Sequence, residues 1–556
     1  VYPPEPLPPA LLDLKRIAPF FAKLRLAAAF LALAAPALAI DISSTTKLTI
    51  SNETAVYNDR ITGSVSTGSY LTPGTQAYDN LSTLYATKVD SVAWEAALDG
   101  RATSDPRYDA RSFDLKRFYV KRQTDATTAI VGDFLASFSD YTLGKSLKGA
   151  EYVVKFGTGS QVTVVAGMDQ PNWYAVWDNK AVSTVDRQVW GIRGQQTFLD
   201  DGSVGANFVW AKDERSALDT TDLAVDQRLT SIDWVLPRFY KLILSGESAY
   251  AFSQNDQPTY DPVSNSTTSV HSTLHGWAHK VRARWTHKRF KTQTDFERVS
   301  PEYETTVGAA TPDLLRVKTD NTLTISGPWK WIVFRYTYFH NNLVNNSQNT
   351  VSTTRMPETG IKYEAPDWAP DLSVESKLRA RDVTSSQTAL VSRTHSLVNT
   401  VNDRFGPLSV EIDYELQKED ASDGSESLLH NIFGLGSTML TKYKGWKFTE
   451  GLHWDLQRDR DQILNNTDQT SGIKANALAV SPWFADAGAT YTRTLVLNAT
   501  SPGNDRRTFL GALGYDFAGK PEHRLELSFR QNDNRFDTPG MDYKEMIWQL
   551  SLKDKF

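Results

Sequence analysis

From Ile40 onward, apolar and polar residues alternate along the chain with a period of two. In the run Arg524 to Arg530, Leu525, Leu527 and Phe529 share one face, and Arg524, Glu526, Ser528 and Arg530 share the other. Successive side chains of a strand point to opposite sides, so the run predicts a strand with one dry and one wet face. Trp446 to Leu456 repeats it: Phe448, Leu452 and Trp454 oppose Lys447, His453 and Asp455, with Glu450 as an exception on the dry face. Val374, Leu378 and Ala380 oppose Glu375, Lys377, Arg379 and Arg381. Helical spacing of apolar residues is scarce.

The connections alternate as well. Tight turns fall near Asp90-Ser91, Thr124-Asp125, His287-Lys288, Gly406-Pro407 and Tyr443-Lys444-Gly445, among twelve such places. Longer polar stretches lie between them, including Asn58–Tyr78, Ser253–Ser269, Asn341–Thr353, Asp459–Gln469 and Asn532–Gly540. Short turns at one end and long loops at the other predict an all-β, antiparallel, up-and-down transmembrane β-barrel, with periplasmic turns and extracellular loops. Twelve turns and thirteen loops give about 26 strands, within a range of 24–26. Strands of about 9–11 residues suffice to cross the membrane.

The segment before this pattern reads as targeting sequence. Lys15, Arg16, Lys23 and Arg25 are followed by the apolar run Leu26–Ala34 and by Ala37-Leu38-Ala39. A basic region, a short apolar core and a small-residue cleavage site in that order describe a secretory signal peptide. Residues 1–12, rich in proline, are read as lying upstream of the true start. The expected division is therefore 1–39 as upstream sequence plus signal peptide and 40–556 as barrel. A first strand beginning near Thr45 leaves no room for an N-terminal plug domain, which argues against a TonB-dependent transporter.

Composition changes the picture in three ways. A mean hydropathy of −0.41 looks soluble, but in a barrel only alternate residues face lipid, so the average stays low. The 15 Trp and 22 Tyr suit aromatic girdles at the membrane interfaces. The absence of cysteine excludes disulfides, Cys-based zinc sites, haem attachment through CxxCH and a lipoprotein anchor. Removing residues 1–39 takes away four Lys/Arg and two Asp/Glu, leaving a net charge of about −7. Nothing here points to nucleic acid.

Candidate chemistry is sparse. No catalytic, cofactor or metal constellation stands out, and the chain is expected not to be an enzyme. His271, His275 and His279 would share one face of a strand and could form a metal ladder, but isolated wall histidines explain them better. Asp455, Asp459 and Asp461 are interleaved with Arg458 and Arg460, which offset their charge, so this stretch reads as a solvated loop. The expected lumen-facing residues are Lys447, His453, Asp455, Glu375, Arg379, Arg524, Glu526, Arg530, Gln549 and Lys553. Leu525, Leu527, Phe529, Phe448, Leu452, Trp454, Leu550 and Leu552 are expected to face lipid. Mixed signs in the lumen imply weak ion selectivity.

The chain ends Trp548-Gln549-Leu550-Ser551-Leu552-Lys553-Asp554-Lys555-Phe556. Trp548, Leu550, Leu552 and Phe556 on one face resemble the terminal strand of bacterial outer-membrane proteins, with Asp554 at a position that is usually apolar. The resemblance implies the outer membrane of a Gram-negative bacterium, contact with its lipid, and recognition of Phe556 by the barrel-assembly machinery. The strand count and loop rhythm resemble the large porin partners of multihaem cytochromes, the MtrB/PioB type, in which the barrel sheathes a cytochrome. Members of that type often carry a CxxC pair that this chain lacks. The segment Gly132-Asp-Phe134-Leu-Ala-Ser-Phe138 through Leu143 to Gly149 resembles stretches of large barrels from environmental bacteria.

A 26-strand barrel would have a backbone diameter of roughly 50 Å, wider than side chains can fill. The leading expectation is a porin-like outer-membrane channel that passes small solutes or houses a partner. The alternatives are a porin sheath for a periplasmic multihaem cytochrome, and a non-conducting structural or adhesion protein. If a segment folds inward to close the pore, Asn58–Tyr78 and Ser253–Ser269 are the expected ones.

Overall fold

The computed structural model describes residues 46–555, except 64–70, 110, 171, 178–185, 200, 215–223, 262–265, 344–351, 366–372, 386–391, 422–426, 445, 462–465, 481–482, 497–502, 518–521 and 537–539. The expected signal peptide and Phe556 lie outside the described residues.

The first fourteen strands are β1 (Lys47–Gly63), β2 (Gly74–Val89), β3 (Val92–Thr103), β4 (Phe113–Gln123), β5 (Thr127–Ser139), β6 (Leu143–Phe156), β7 (Ser160–Asp169), β8 (Arg187–Phe198), β9 (Gly202–Asp213), β10 (Ala224–Val235), β11 (Leu242–Asp261), β12 (Ser266–His287), β13 (Phe290–Val299) and β14 (Leu314–Ser326). Twelve more follow: β15 (Trp329–His340), β16 (Ser352–Glu364), β17 (Ser373–Ser385), β18 (Ser392–Phe405), β19 (Leu408–Ala421), β20 (Ser427–Tyr443), β21 (Trp446–Asp461), β22 (Asn466–Val480), β23 (Trp483–Val496), β24 (Asn504–Asp516), β25 (Arg524–Phe536) and β26 (Tyr543–Lys555). One short helix, α1 (Trp173–Trp177), interrupts the β7–β8 connection.

Each strand pairs antiparallel with its neighbours in sequence, and β1 pairs with β26 from Ser51↔Lys555 to Gly63↔Tyr543. The sheet is therefore a closed 26-strand up-and-down barrel with no strand left at a free edge. Connections at one end are short. Five of them are two-residue turns that open on a residue in the left-handed region: Asp90 (φ 52°), Lys288 (47°), Gly327 (50°), Gly406 (60°) and Lys444 (46°). That backbone suits the twist of a tight hairpin.

The strands run longer than the 9–11 residues a bilayer requires. β11 has 20 residues and β12 has 22, and their ladder continues to Asp261↔Ser266. Most of Ser253–Ser269, expected as a loop, is thus strand. Asp459 and Asp461, expected in a solvated loop, lie in β21, and β22 resumes at Asn466. Asn58–Gly63 likewise belong to β1. Polar side chains masked this continuation, because above the lipid both faces of a hairpin are wet and the sequence loses its alternation.

Candidate functional site: an inward-folded hairpin in the lumen

The ladder determines which residues share a face. The row Ile192, Phe208, Thr230, Tyr250 and Trp277 lies on one face of β8–β12, and all but Thr230 are large apolar or aromatic residues. Phe208 is 41% and Trp277 54% exposed. The adjacent row is Val165, Gly191, Val209, Leu229, Ala251 and Gly276. Its valines, Leu229 and Ala251 are buried to 1% exposure or less. Wall residues on the face of that second row are covered by chain from distant strands, and in a closed barrel only the interior allows such contacts.

The covering chain comes first from the β5–β6 hairpin. β4 pairs with β5 only from Tyr119↔Gly132 to Gln123↔Thr128. β6 pairs with β7 only from Lys148↔Met168 downward. β5 and β6 remain paired with each other up to Ser139↔Leu143. The upper half of the hairpin, Asp133–Leu147, has therefore left the wall and turned into the lumen. Gly132 and Gly149 face each other at the bend. Gly132 has φ +116°, and a Cβ there would sit 2.1 Å from the Phe118 carbonyl oxygen. A Cβ on Gly149 would sit 2.0 Å from the Ala166 carbonyl oxygen. Only glycine lets the departing hairpin pass this close to its neighbours' backbone.

Once inside, Phe134, Ala136, Phe138, Tyr141, Leu143 and Leu147 pack against Val165, Val189, Val209 and Leu229. The tip reaches across four further strands. Tyr141 donates its backbone N–H to Glu247 (3.3 Å) and its hydroxyl to Glu297 (2.9 Å). Ser139 bonds Ser231 at 3.1 Å, and Lys280 pairs with Asp140 at 2.5 Å. Burial first, and the Glu297 carboxylate second, push the Tyr141 phenol up, so it remains a donor.

The β13–β14 connection, residues 300–313, folds in to meet the tip. Gly144 N–H donates to the Val307 carbonyl and Ala309 N–H to the Asp140 carbonyl, both at 2.8 Å, which extends the inner hairpin by a short third segment. Tyr303 lies over Gly276 and donates its hydroxyl to the Tyr141 carbonyl at 2.9 Å. Thr306 N–H and Asn255 Nδ2 add bonds to Gln227 and Glu304, each at 2.9 Å. Tyr303 and Val307 are fully buried. The inward segments are thus the hairpin and residues 300–313, and not Ser253–Ser269. Of Asn58–Tyr78, Thr72 bonds to Asp105 over the inner face of Tyr57, a smaller cover at the rim.

The remaining wall is polar on its inner face. Following the ladder from Glu297 around to β26 places Glu375, Arg379, Lys447, His453, Asp455, Arg524, Glu526, Arg530, Gln549 and Lys553 on this interior face. Leu525, Leu527, Phe529, Phe448, Leu452, Trp454, Trp548, Leu550 and Leu552 lie on the opposite one. The interior charges pair. Arg335 bridges Asp320 (3.0 Å) and Glu358, which also accepts from Arg379 at 3.0 Å. Lys377 pairs with Glu375, His453 Nε2 lies 2.8 Å from Asp455, and Arg524 forms a two-bond pair with Asp516 at 2.6 and 3.0 Å. His271, His275 and His279 share the outer face with Trp277. There His275 contacts the Tyr250 hydroxyl at 2.8 Å and His279 stacks on Trp277. They join an aromatic belt and form no common site.

A closed barrel with an apolar outer face and a polar inner one is how a β-protein spans a bilayer, and the chain is an outer-membrane β-barrel. No protein-family model matches it, and no curated protein does. Among solved structures, the FrpB iron transporter from Neisseria meningitidis is similar at a TM-score of 0.42 and 10% identity, over 93% of this chain and 82% of that one. OccAB4 from Acinetobacter baumannii matches at 0.29 and 9%, over 93% and 99%. The translocation pore of the P pilus usher PapC matches at 0.34 and 8%, over 91% and 99%.

Proposed function

We propose that the chain is a passive channel for small polar solutes across the outer membrane, narrowed from one side by its own hairpin. The observation that carries this reading is the inward turn of Asp133–Leu147 and its docking on residues 300–313. A chain that places its own segments in its lumen sets the width of the path itself. The paired charges of β15–β26 line the other side and suit a solvated wall with weak ion preference. Purified barrel in liposomes should admit neutral sugars in a size-dependent way, read as swelling rate. Absence of swelling with the smallest sugars would overturn the reading.

A second reading, the sheath of a multihaem cytochrome, draws on the inner face of β15–β26, where almost no large apolar side chain is buried among the described residues. It requires a periplasmic partner whose addition closes the channel to ions. Swelling that persists unchanged with such a cytochrome bound would favour the solute channel.

A further inference from the structure

Around most of the barrel, parting two strands would break a ladder of backbone hydrogen bonds where lipid offers no replacement. One seam is different. Above Gly132 and Gly149, residues 113–118 of β4 keep β3 as a partner but have no strand partner on their other side among the described residues. On the other side β7 keeps its β6 pairing up to Met168 and ends one residue later, at Asp169. At about 4.8 Å per strand, the two departed strands leave a width on the order of 10 Å between β4 and β7.

Side chains close this seam. The Asp133 carboxylate accepts the Phe118 backbone N–H (2.7 Å) and the Trp173 Nε1–H (2.6 Å), and pairs with Lys148 at 2.5 Å. One carboxylate thus ties β4, β6 and α1 together. Trp173 packs edge-on against Phe118 with ring centroids 6.0 Å apart, and the Lys148 ammonium lies 5.3 Å from the Trp173 ring centre. Arg111 stacks over Tyr174 at 4.1 Å. Outside the seam, exposed Phe113, Val131, Tyr152 and Val164 continue the apolar surface. Inside, the free face of the hairpin presents Leu135, 69% exposed, beside Ser137.

We propose that the β4–β7 seam is a lateral portal between the lumen and the outer leaflet, passing an amphipathic solute with an apolar ring or chain. Opening it requires the Asp133–Trp173–Phe118 contacts to part, and no strand ladder breaks. Leu135 and the rings on either side offer the apolar part of the solute a continuous path, while its polar head stays in the aqueous lumen.

The chain has no cysteine, so a Phe118→Cys/Trp173→Cys pair bridged by a short cleavable bismaleimide would be its sole cross-link. In liposomes, a pyrene-labelled alkyl sulfonate added outside is followed as the fraction that external albumin no longer extracts. Relative to the unbridged pair, bridging should lower transfer several-fold and leave ion conductance unchanged, and cleavage should restore transfer. Asp133→Asn, which removes the ion pair, should raise transfer in the unbridged barrel. Transfer indifferent to both changes would overturn the portal, and so would transfer and conductance falling together. A barrel that transfers the sulfonate but admits no sugar would instead count against the channel reading alone.

Discussion

The arc from β5 to β14 and the arc from β15 to β26 are built on the same strand geometry but use their inner faces differently. In the first, the chain covers its own wall: Phe138, Tyr141, Leu229, Tyr303 and Val307 form one buried apolar cluster. In the second, Phe484 is the sole large apolar side chain buried among the described residues, and Arg524 lies over its ring at 3.8 Å. Elsewhere the inner face of that arc is held by ion pairs such as Arg335–Glu358–Arg379. The difference teaches that a wide barrel has two ways to settle its lumen. It can fold chain inward and bury apolar surface, or leave the face to water and pair its charges. The first produces a fixed obstruction, because docking five large side chains is worth on the order of 10 kcal/mol in buried surface. The second leaves an open wall.

The largest effect should come from the bend itself. Gly149→Val places side-chain atoms where the Ala166 carbonyl already sits 2.0 Å from a Cβ. The cost should be on the order of 3 kcal/mol or more. Either the hairpin fails to leave the wall or the barrel fails to close. Heat-modifiable mobility in gels should show a reduced folded fraction, and the molecules that do fold should conduct more. The same substitution at Gly434, in the other arc, has no backbone atom among the nearest neighbours of its Cβ and should be far milder. Equal losses at the two positions would remove the distinction between the arcs.

Next in size is the docking surface. Phe138→Ala deletes a ring that is 7% exposed in the cluster and should cost about 3–5 kcal/mol of local stability. Because β5 and β6 are anchored below Gly132, the barrel should persist. Amide exchange should rise over residues 133–147 and 300–313 together, and single-channel current should increase or become noisy. Exchange confined to the hairpin would mean that the two inward segments hold independently.

Sidedness comes third. Leu527→Arg should cost about 2–4 kcal/mol if it lies near mid-membrane, whereas Ser528→Arg, one residue along and on the inner face, should cost within about 0.5 kcal/mol. Denaturant titration of the folded barrel would compare them. A reversal would mean the register is displaced by one residue, since such a slip exchanges the two faces.

The wall was legible in the sequence for a physical reason: lipid and lumen sort side chains with a period of two. Runs such as Arg524–Arg530 and the twelve turns therefore announce themselves. The inward hairpin was not legible, because Phe134, Ala136 and Phe138 still recur with period two, and the apolar face changes sides, from Val131 to Phe134, within the single step Gly132-Asp133. Period two reports that a strand has a dry face, and apolar wall chain dries that face as well as lipid does. The residues that mattered were Gly132 and Gly149, far from any turn signal and visible only once their pairing is known. Residues 300–313 carry no alternation, and Tyr303 and Val307 stand there among Ser, Pro, Glu, Thr, Gly, Ala and Asp, so nothing in the sequence marks them as packed.

A fourth effect, on selectivity, tests the open wall. Glu358 is the shared partner of Arg335 and Arg379, and its side chain is 3% exposed. Glu358→Gln leaves two guanidinium groups facing the lumen with Asp320 as the remaining carboxylate on Arg335. The reversal potential under a salt gradient should move toward anions with little change in conductance. The comparable change in the covered arc, Glu297→Gln, takes the carboxylate from a single guanidinium, Arg316, with Tyr141 still over the site, so its shift should be smaller.

The smallest effect concerns the rim cover over β1–β3, where the covered and open modes meet. Asp105, just beyond β3, is fully buried and accepts hydrogen bonds from the Tyr57 hydroxyl, from Thr72 N–H at 3.0 Å and from Arg107 N–H at 2.8 Å. Burial alone would raise its pKa, but the donors from Thr72, Tyr57 and Arg107 outweigh it and hold the carboxyl below its ordinary value. A carboxyl lowered in the folded state adds stability that is fully present above its unfolded pKa of about 3.9 and is lost as pH falls through the lower, folded value. The contacts of Thr72 and Arg107 should therefore hold through mildly acidic pH and release only below the usual carboxylate range. The yield of close pairs between spin labels on Thr72→Cys and Arg107→Cys, attached before the titration and read against pH, should stay flat down to about pH 4 and then fall. With Asp105→Asn added, the yield should be lower and independent of pH over that range. A yield that drops between pH 7 and pH 5 would show that another group governs the rim, and that Asp105 is not what ties the connection to the inner face.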